Sequence, residues 1–333
     1  MRSAEYSRFY FDHKPAAALA SAGNMSSHVA IAIVGYNNTA DIDSCIGAIA
    51  QSTYPDFEIV ICENGSEQTY QALRDSFSAP LPGGQPVKVI KSPANKGYAS
   101  GINQCIAASP SADAWWILNP DTEPTPAALA ALVRRLEQGD VQAVGNTVYF
   151  PDGRVQSHGG AWRSWLARAV SIGSGSALET PPDAAAIEQA QTYLSGASML
   201  VSREFVQRTG SMPEEFFLYC EEIDWCLTAA RKGLKLGFAP NAAVLHKQGT
   251  STGRSMSPGT RSRLSVYLDE RNKILITKDH FPFRLPIAGA AALLLLALRY
   301  LRKGALRQFV YAISGWFAGL LGRRGIPKRT LAS

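Results

Sequence analysis

The 333-residue chain has five cysteines, an odd number, and no Cys-x-x-Cys pair. That pattern excludes a fully paired disulfide framework and a zinc ribbon. Cys45, Cys62, Cys105, Cys220 and Cys226 are therefore expected to be reduced, as in a cytosolic protein. No Gly-x-Gly-x-x-Gly and no Walker sequence is present, so the fingerprints of dinucleotide and P-loop binding are missing. A secretory leader is not expected either. Arg2, Glu5, Arg8, Asp12 and Lys14 crowd the N-terminus, and only a short Ala-rich stretch follows. Long apolar runs are also lacking. The two in the C-terminal region, residues 285–298 and 309–321, hold 14 and 13 residues, against about 20 for a spanning helix.

Acidic residues stop before Arg299, and this absence organises the charge. The chain carries 33 Lys+Arg against 27 Asp+Glu, a formal net charge of +6, yet eight of the basic residues lie from Arg299 onward. Without them the body holds 25 basic against 27 acidic side chains, a net of −2. A nucleic-acid binder spreads positive charge over its folded body. Here the body is neutral and the tail basic, which excludes nucleic acid and directs the charge toward an anionic membrane surface. With 46% hydrophobic and 18% charged residues the chain is globular rather than disordered.

Residues 1–27 have no clear periodicity and read as a loose leader. An alternation of strands and helices then begins. The apolar runs 29–34, 57–62 and 115–118 predict strands buried on both faces, and 87–90 a further strand. Ile42, Cys45, Ile46 and Ile49 share one helical face, residues 99–108 read as a helix, and Pro126 opens another to Leu136. This order predicts an α/β fold: a Rossmann-like, mainly parallel sheet covered by helices on both faces. Later segments predict strands at 141–150 and 192–201, then helices from Glu221 to Gly233 and over 260–278. In such sheets ligands bind at the carboxyl ends of strands. There the sequence places Gly35-Tyr36-Asn37-Asn38, Glu63-Asn64-Gly65-Ser66, Ser92 to Gly97, and Asn119-Pro120-Asp121.

Several ordered segments carry a resemblance. They are Ile31 to Asn37, Gln51 to Glu58, Glu63-Asn-Gly-Ser66, Asn95-Lys-Gly-Tyr-Ala99, Asn119-Pro-Asp121, Leu194 to Met199, Phe217 to Cys226, His246, and Tyr267-Leu-Asp-Glu-Arg-Asn272. In this order and spacing, from about Val29 to Pro282, the chain resembles the family 2 inverting glycosyltransferases, and most of all their rhamnosyltransferase-like branch of cell-surface polysaccharide assembly. The resemblance implies a GT-A fold over 28–282, with a nucleotide-sugar half at 28–125 and an acceptor and catalytic half at 126–282. Residues 283–333 are expected to form a C-terminal helical, membrane-associating extension.

The chemistry implied by the resemblance explains the residue types. Transfer from a nucleoside-diphosphate sugar builds negative charge on the leaving diphosphate, and a divalent cation, Mg²⁺ or Mn²⁺, offsets it. Asp121 stands at the last position of the family's Asp-x-Asp, with Asn119 in place of the first Asp, and His246 is the implied imidazole ligand. A positioned carboxylate must take the acceptor hydroxyl's proton. The second acid of the family's pair maps onto Glu222, a Glu where Asp is usual; the extra methylene moves the carboxylate by about 1.5 Å. Glu221 and Asp224 complete the catalytic cluster, although acids in a first helical turn also simply complement the helix dipole. Tyr36, Asn37, Glu63, Asn95, Lys96, Gly97, Asn119 and Gly196 are the implied donor-binding set. His158 carries no role.

The implied partners are a dTDP- or UDP-sugar donor, a lipid-linked saccharide acceptor, and a membrane surface met by the tail. An in-plane pair of helices fits two short apolar runs separated by Arg299, Arg302, Lys303 and Arg307; packing on protein is the other reading. The expected location is cytoplasmic, peripheral at the inner face of the cell membrane. The functional alternative is a catalytically silent sugar-nucleotide-binding subunit, suggested only by the Glu222 and Asn119 departures.

Overall fold

The structure, a computed structural model, describes residues 27–247 and 261–327. The leader up to residue 26, residues 248–260 and the last basic pair, Lys328 and Arg329, lie outside the described residues.

β1 (Val29–Gly35) is buried along its whole length, and its alternation builds both layers of the molecule. Val29, Ile31 and Ile33 join one core, with Ile42, Cys45, Ile46 and Ile49 of α1 (Thr39–Ile49). Ala30, Ala32 and Val34 join the other, with Ile102 and Cys105 of α3 (Tyr98–Ala108). A period of two in the strand thus meets helices on both faces, as the continuous apolar run predicts. β2 (Phe57–Glu63), α2 (Glu67–Ser76), β3 (Val87–Lys91) and β4 (Ala114–Leu118) complete this half. The strands run parallel in the order β3-β2-β1-β4.

Beyond β4 the sheet becomes mixed. The order continues β10-β6-β11-β5, with β10 (Ser198–Ser202) antiparallel to both β4 and β6 (Ala143–Tyr149). β11 (Leu236–His246) runs parallel to β6 and antiparallel to β5 (Thr122–Pro124). α4 (Ala128–Leu136), α5 (Ala184–Ala190), α6 (Arg203–Thr209) and α7 (Glu221–Arg231) connect these strands. Residues 192–197, expected as strand, form a loop instead, and β10 starts at Ser198. Between the strands expected at 141–150 and 192–201 lie β7 (Val155–Ser157), paired with β6, and the hairpin β8 (Gly160–Arg163) and β9 (Arg168–Ser171). Three and four residues are too few for periodicity to register.

The C-terminal helices dock on the α/β body. α8 (Arg263–His280) buries Val266, Leu268, Ile274, Leu275 and Ile276. α10 (Leu306–Leu320) lies against it so closely that a Cβ on Gly315 would sit 2.3 Å from the Tyr267 carbonyl oxygen, and one on Gly319 2.6 Å from that of Arg271. α9 (Leu285–Leu301) is tied to α10 where Trp316 Nε1 donates to the Gly289 carbonyl at 3.0 Å. The helical stretch Pro282–Leu301 is longer than the apolar run in the sequence, because it continues through Arg299. Its 20 residues, of mean hydropathy 1.5, are enough by length and composition to cross a membrane. Phe283, Ile287, Leu294, Leu306, Val310 and Leu321 are exposed along this region.

Candidate active site

A cavity of about 370 Å³ opens at the carboxyl ends of β1, β2 and β4. This is where the strand order turns back on itself, and where an open α/β sheet leaves a crevice. Val34 and Tyr36 enter it from β1 and its loop, Asn64 from the end of β2, and Asn119, Pro120 and Asp121 from the end of β4. The loop before antiparallel β10 brings Ser195, Gly196 and Ala197 to the same edge. Asn64 Nδ2 donates to the Gly97 carbonyl at 3.0 Å, and Asn95 Oδ1 accepts from the Gly97 amide at 3.0 Å. The Tyr98 hydroxyl donates to the Gly196 carbonyl at 3.2 Å. The start of α3 and the loop before β10 are thus tied together across the cavity.

Sheet register brings the two expected metal ligands together. β5 and β11 pair Thr122 with His246, and the Lys247 amide donates to the Asp121 carbonyl at 3.0 Å. His246 Nε2 then lies 3.2 Å from Asp121 Oδ1, with both residues buried. On the far side of the ring, His246 Nδ1 meets Gln156 Oε1 at 2.9 Å. An amide oxygen only accepts, so it fixes a hydrogen on Nδ1 and leaves the Nε2 lone pair turned to a carboxylate oxygen. Two electron-pair donors aimed at each other are satisfied by a cation between them, or by a proton on the ring, so this pair fits a divalent metal. Among the described residues no group of three or more His, Cys, Asp or Glu side chains suited to a metal occurs. A hard cation that keeps waters and takes substrate phosphates needs only one or two protein ligands.

The carboxylates come from the first turn of α7. Its N-cap, Cys220, is left-handed (φ 71°), as are Tyr219 (φ 72°) and Phe217 (φ 65°). Such residues carry about 1–3 kcal/mol of strain each and need surroundings that enforce them. Glu221 and Glu222 both line the cavity. Burial first, and the neighbouring Glu222 charge second, push the Glu221 carboxyl well above the usual carboxylate range. Glu221 Oε2 is buried with no hydrogen-bond partner, a setting that disfavours the charged form more than the neutral one. A Cβ on Gly196 would meet the Glu222 side chain at 3.4 Å, so the loop before β10 reaches ordinary contact with this carboxylate.

Other expected site residues stand elsewhere. Asp224 lies two residues, or about 200° of helical rotation, from Glu222; it does not line the cavity but holds His280 Nε2 at 2.7 Å. Lys96 is exposed outside the cavity. Glu63 is fully buried beneath the first two loops, where Oε1 accepts from the amides of Asn37 (3.1 Å) and Gly65 (2.6 Å). Asn37 Oδ1 accepts from the Ser66 amide at 2.8 Å and the Thr69 hydroxyl at 3.1 Å. Both residues shape the loops after β1 and β2 rather than line the cavity. Sequence reasoning missed Gln156, Ser262, Leu264 and Ser265, all of which line it. Gln156 sits in a three-residue strand with no motif around it. Tyr98 was visible only as part of the Asn-Lys-Gly-Tyr segment.

Comparison with known proteins places this geometry. Residues 30–208 match the model of Glycosyl transferase family 2. The chain is 24% identical over 250 residues to the N-acetylglucosaminyl-diphospho-decaprenol L-rhamnosyltransferase of Mycobacterium tuberculosis (strain H37Rv), covering 69% of this chain and 79% of that one. It is 23% identical over 313 residues to the low-salt glycan biosynthesis hexosyltransferase Agl10 of Haloferax volcanii, covering 92% and 95%. The solved mannosyltransferase PcManGT of Pyrobaculum calidifontis, in complex with GDP-Man and Mn²⁺, superposes with a TM-score of 0.56 at 15% identity, covering 96% and 95%. The expected GT-A fold is therefore borne out. With a family match over more than half its length and a cavity at the carboxyl edge of the sheet, the chain belongs to glycosyl transferase family 2 and is a rhamnosyltransferase-like glycosyltransferase.

Proposed function

We propose that this glycosyltransferase is inverting and metal-dependent, and moves a sugar, rhamnose first among the candidates, from a dTDP- or UDP-sugar to a lipid-linked saccharide. The observation that carries the reading is the convergence of Asp121, His246 and Glu222 on one cavity at the switch point of the sheet. Asp121 and His246 would hold Mg²⁺ or Mn²⁺, whose charge offsets that developing on the departing diphosphate. Gln156 keeps the imidazole turned for that task.

Tyr36 and Asn64 line the side where the nucleoside is expected to lie. Gly97 and Gly196 let backbone approach the diphosphate and sugar. Glu222 takes the proton of the acceptor hydroxyl as its oxygen bonds to the anomeric carbon. The bond from that carbon to the diphosphate oxygen breaks on the opposite face, so configuration inverts. Glu221 keeps its own proton, which spares the site a buried pair of like charges.

The acceptor class follows from the mycobacterial relative, whose name specifies a diphospho-decaprenol, and from the tail. Exposed Phe283, Leu306, Val310 and Leu321 lie in the same region as Arg302, Lys303 and Arg307. One face of α9 is committed to protein through Ala288, Ala292, Leu296 and Tyr300. The exposed remainder suits a helix lying in the interface better than one surrounded by lipid. Our reading is an enzyme peripheral at the cytoplasmic face of the membrane, supported by this exposed apolar and basic region.

A panel of nucleoside-diphosphate sugars, scored for nucleoside diphosphate release with membrane lipid extract as acceptor, tests the reading. Release should require Mn²⁺ or Mg²⁺ and fall by at least about 10²-fold in Asp121→Ala and Glu222→Gln. Release that persists in both variants would refute it.

A further inference from the structure

The segment Tyr267–Asn272 has no part in the chemistry above, yet two of its residues are deeply buried against the catalytic loop. Arg271 is 1% exposed and Asn272 fully buried in the middle of α8. Asn272 Nδ2 lies within hydrogen-bond distance of three carbonyls of one loop: Phe216 (3.2 Å), Leu218 (2.8 Å) and Tyr219 (2.7 Å). Arg271 donates to the Phe216 carbonyl at 2.7 Å, to Asn272 Oδ1 at 2.8 Å and to the Gly325 carbonyl at 2.6 Å. The remaining carbonyl, that of Phe217, accepts from the Tyr98 amide at 2.9 Å. All four successive carbonyls of residues 216–219 are thereby held from outside the loop.

This loop contains the three left-handed residues, Phe217, Tyr219 and Cys220, and leads directly into Glu221 and Glu222. A strained loop of ordinary L-residues relaxes unless its backbone groups are fixed. The second tie comes from the end of the chain. The Gly325 amide donates to the Glu215 carbonyl at 2.6 Å, and Arg324 pairs with Glu215 and with Asp279. The segment following α10 therefore straps the turn at Glu214–Phe216, just ahead of the strained loop.

We propose that Arg271 and Asn272 are positioning residues that hold the strained Phe217–Cys220 loop, and with it the general base Glu222, in register with the donor, and that the Arg324–Gly325 strap extends this hold to the membrane-facing tail. The proposal rests on the functional reading above for the identity of the base. The hold on the loop itself is open to an independent test. A displacement of about 1 Å at a reacting group costs on the order of 10²-fold in rate.

The test uses the full chain carrying Asn272→Asp, which keeps the size and the contact with Arg271 but turns a carboxylate to three carbonyls. A second variant, Arg324→Ala, changes a partly exposed side chain and removes only the strap's ion pairs. Turnover of the donor that the unmodified chain uses fastest, calorimetric binding of UDP and dTDP with Mn²⁺, and amide hydrogen exchange over residues 216–222 are measured on folded protein. Asn272→Asp should lower kcat about 10²-fold with nucleotide affinity within twofold, and speed exchange at 216–222. Arg324→Ala should lower kcat about three- to tenfold and speed exchange over 214–219. Unchanged exchange in both variants would overturn the proposal, as would a loss confined to nucleotide affinity or to the folded fraction. If the unmodified chain turns over no donor, the functional reading fails, and exchange alone then decides whether these residues hold the loop.

Discussion

Gly97→Ala offers a sharp perturbation because the geometry sets its size. Gly97 has φ +101°, and a Cβ built there would lie 2.0 Å from the Phe217 carbonyl oxygen and 2.7 Å from that residue's C and Cα. Ordinary contact begins at 3.4 Å, so backbone must separate by about 1.4 Å. The obstacle is main chain on both sides, with no flexible side chain to swing away. Separation on that scale breaks the 2.9 Å bond from the Tyr98 amide to Phe217, a loss of about 1 kcal/mol. The glycine-only backbone conformation adds about 1–3 kcal/mol. The expected destabilisation is thus about 2–4 kcal/mol, or roughly 3–6 °C in Tm for a chain of this size. The same movement displaces the loop ahead of Glu222, so turnover should fall by at least about 10²-fold. Gly84→Ala is the control: φ is +88°, but nothing lies within 4 Å of the new carbon, so it should cost only the conformational part and leave turnover intact. Melting curves and nucleoside diphosphate release decide the matter. A Gly97→Ala protein that melts within about 1 °C of the parent and turns over within about threefold of it would refute the reasoning.

Three further outcomes are expected. Glu221→Gln should retain most activity while Glu222→Gln loses about 10²–10⁴-fold; equal losses would contradict the division of roles. The raised Glu221 value means that the folded state binds a proton the unfolded chain gives up. The stability this confers is full below the ordinary carboxylate range and fades as pH rises through the folded value, so Glu221→Gln should out-melt the parent at pH 8 and converge with it near pH 4. Gln156→Leu should weaken Mn²⁺ binding by about 10–100-fold, measured by titration calorimetry, and unchanged affinity would remove its orienting role. Paired Leu306→Asp and Val310→Asp should cut co-sedimentation with anionic phosphatidylglycerol vesicles at least about tenfold, and no change would argue that this face does not meet lipid.

The parts of the fold legible in the sequence were those with local signals. β1, β2 and β4 are apolar runs buried on both faces, and the polar segments after them reach the same sheet edge because parallel strands share a direction. Glu221 opens its helix as expected, with acids against the dipole. What local signals do not carry depends on long-range register, and the resemblance alone linked Asp121 with His246. The antiparallel pairing of Thr122 with His246 joins residues far apart in sequence, and only through it do Asp121 and His246 meet. The difference between Glu222 and Asp224 is a rotation about a helix whose orientation is set by the loop before it. That loop's left-handed run has no glycine to announce it. Glu63 looked like a ligand contact from its place after β2, but its side chain turns under the loop to take two amides. In the tail, Gly315 and Gly319 read as part of an apolar run, whereas they are the points where α10 closes on the backbone of α8.

The most direct test of the central claim is the anomeric configuration of the transferred sugar, read by nuclear magnetic resonance on the purified product. One displacement with Glu222 as base predicts the configuration opposite to that of the donor. A product that keeps the donor's configuration would contradict it.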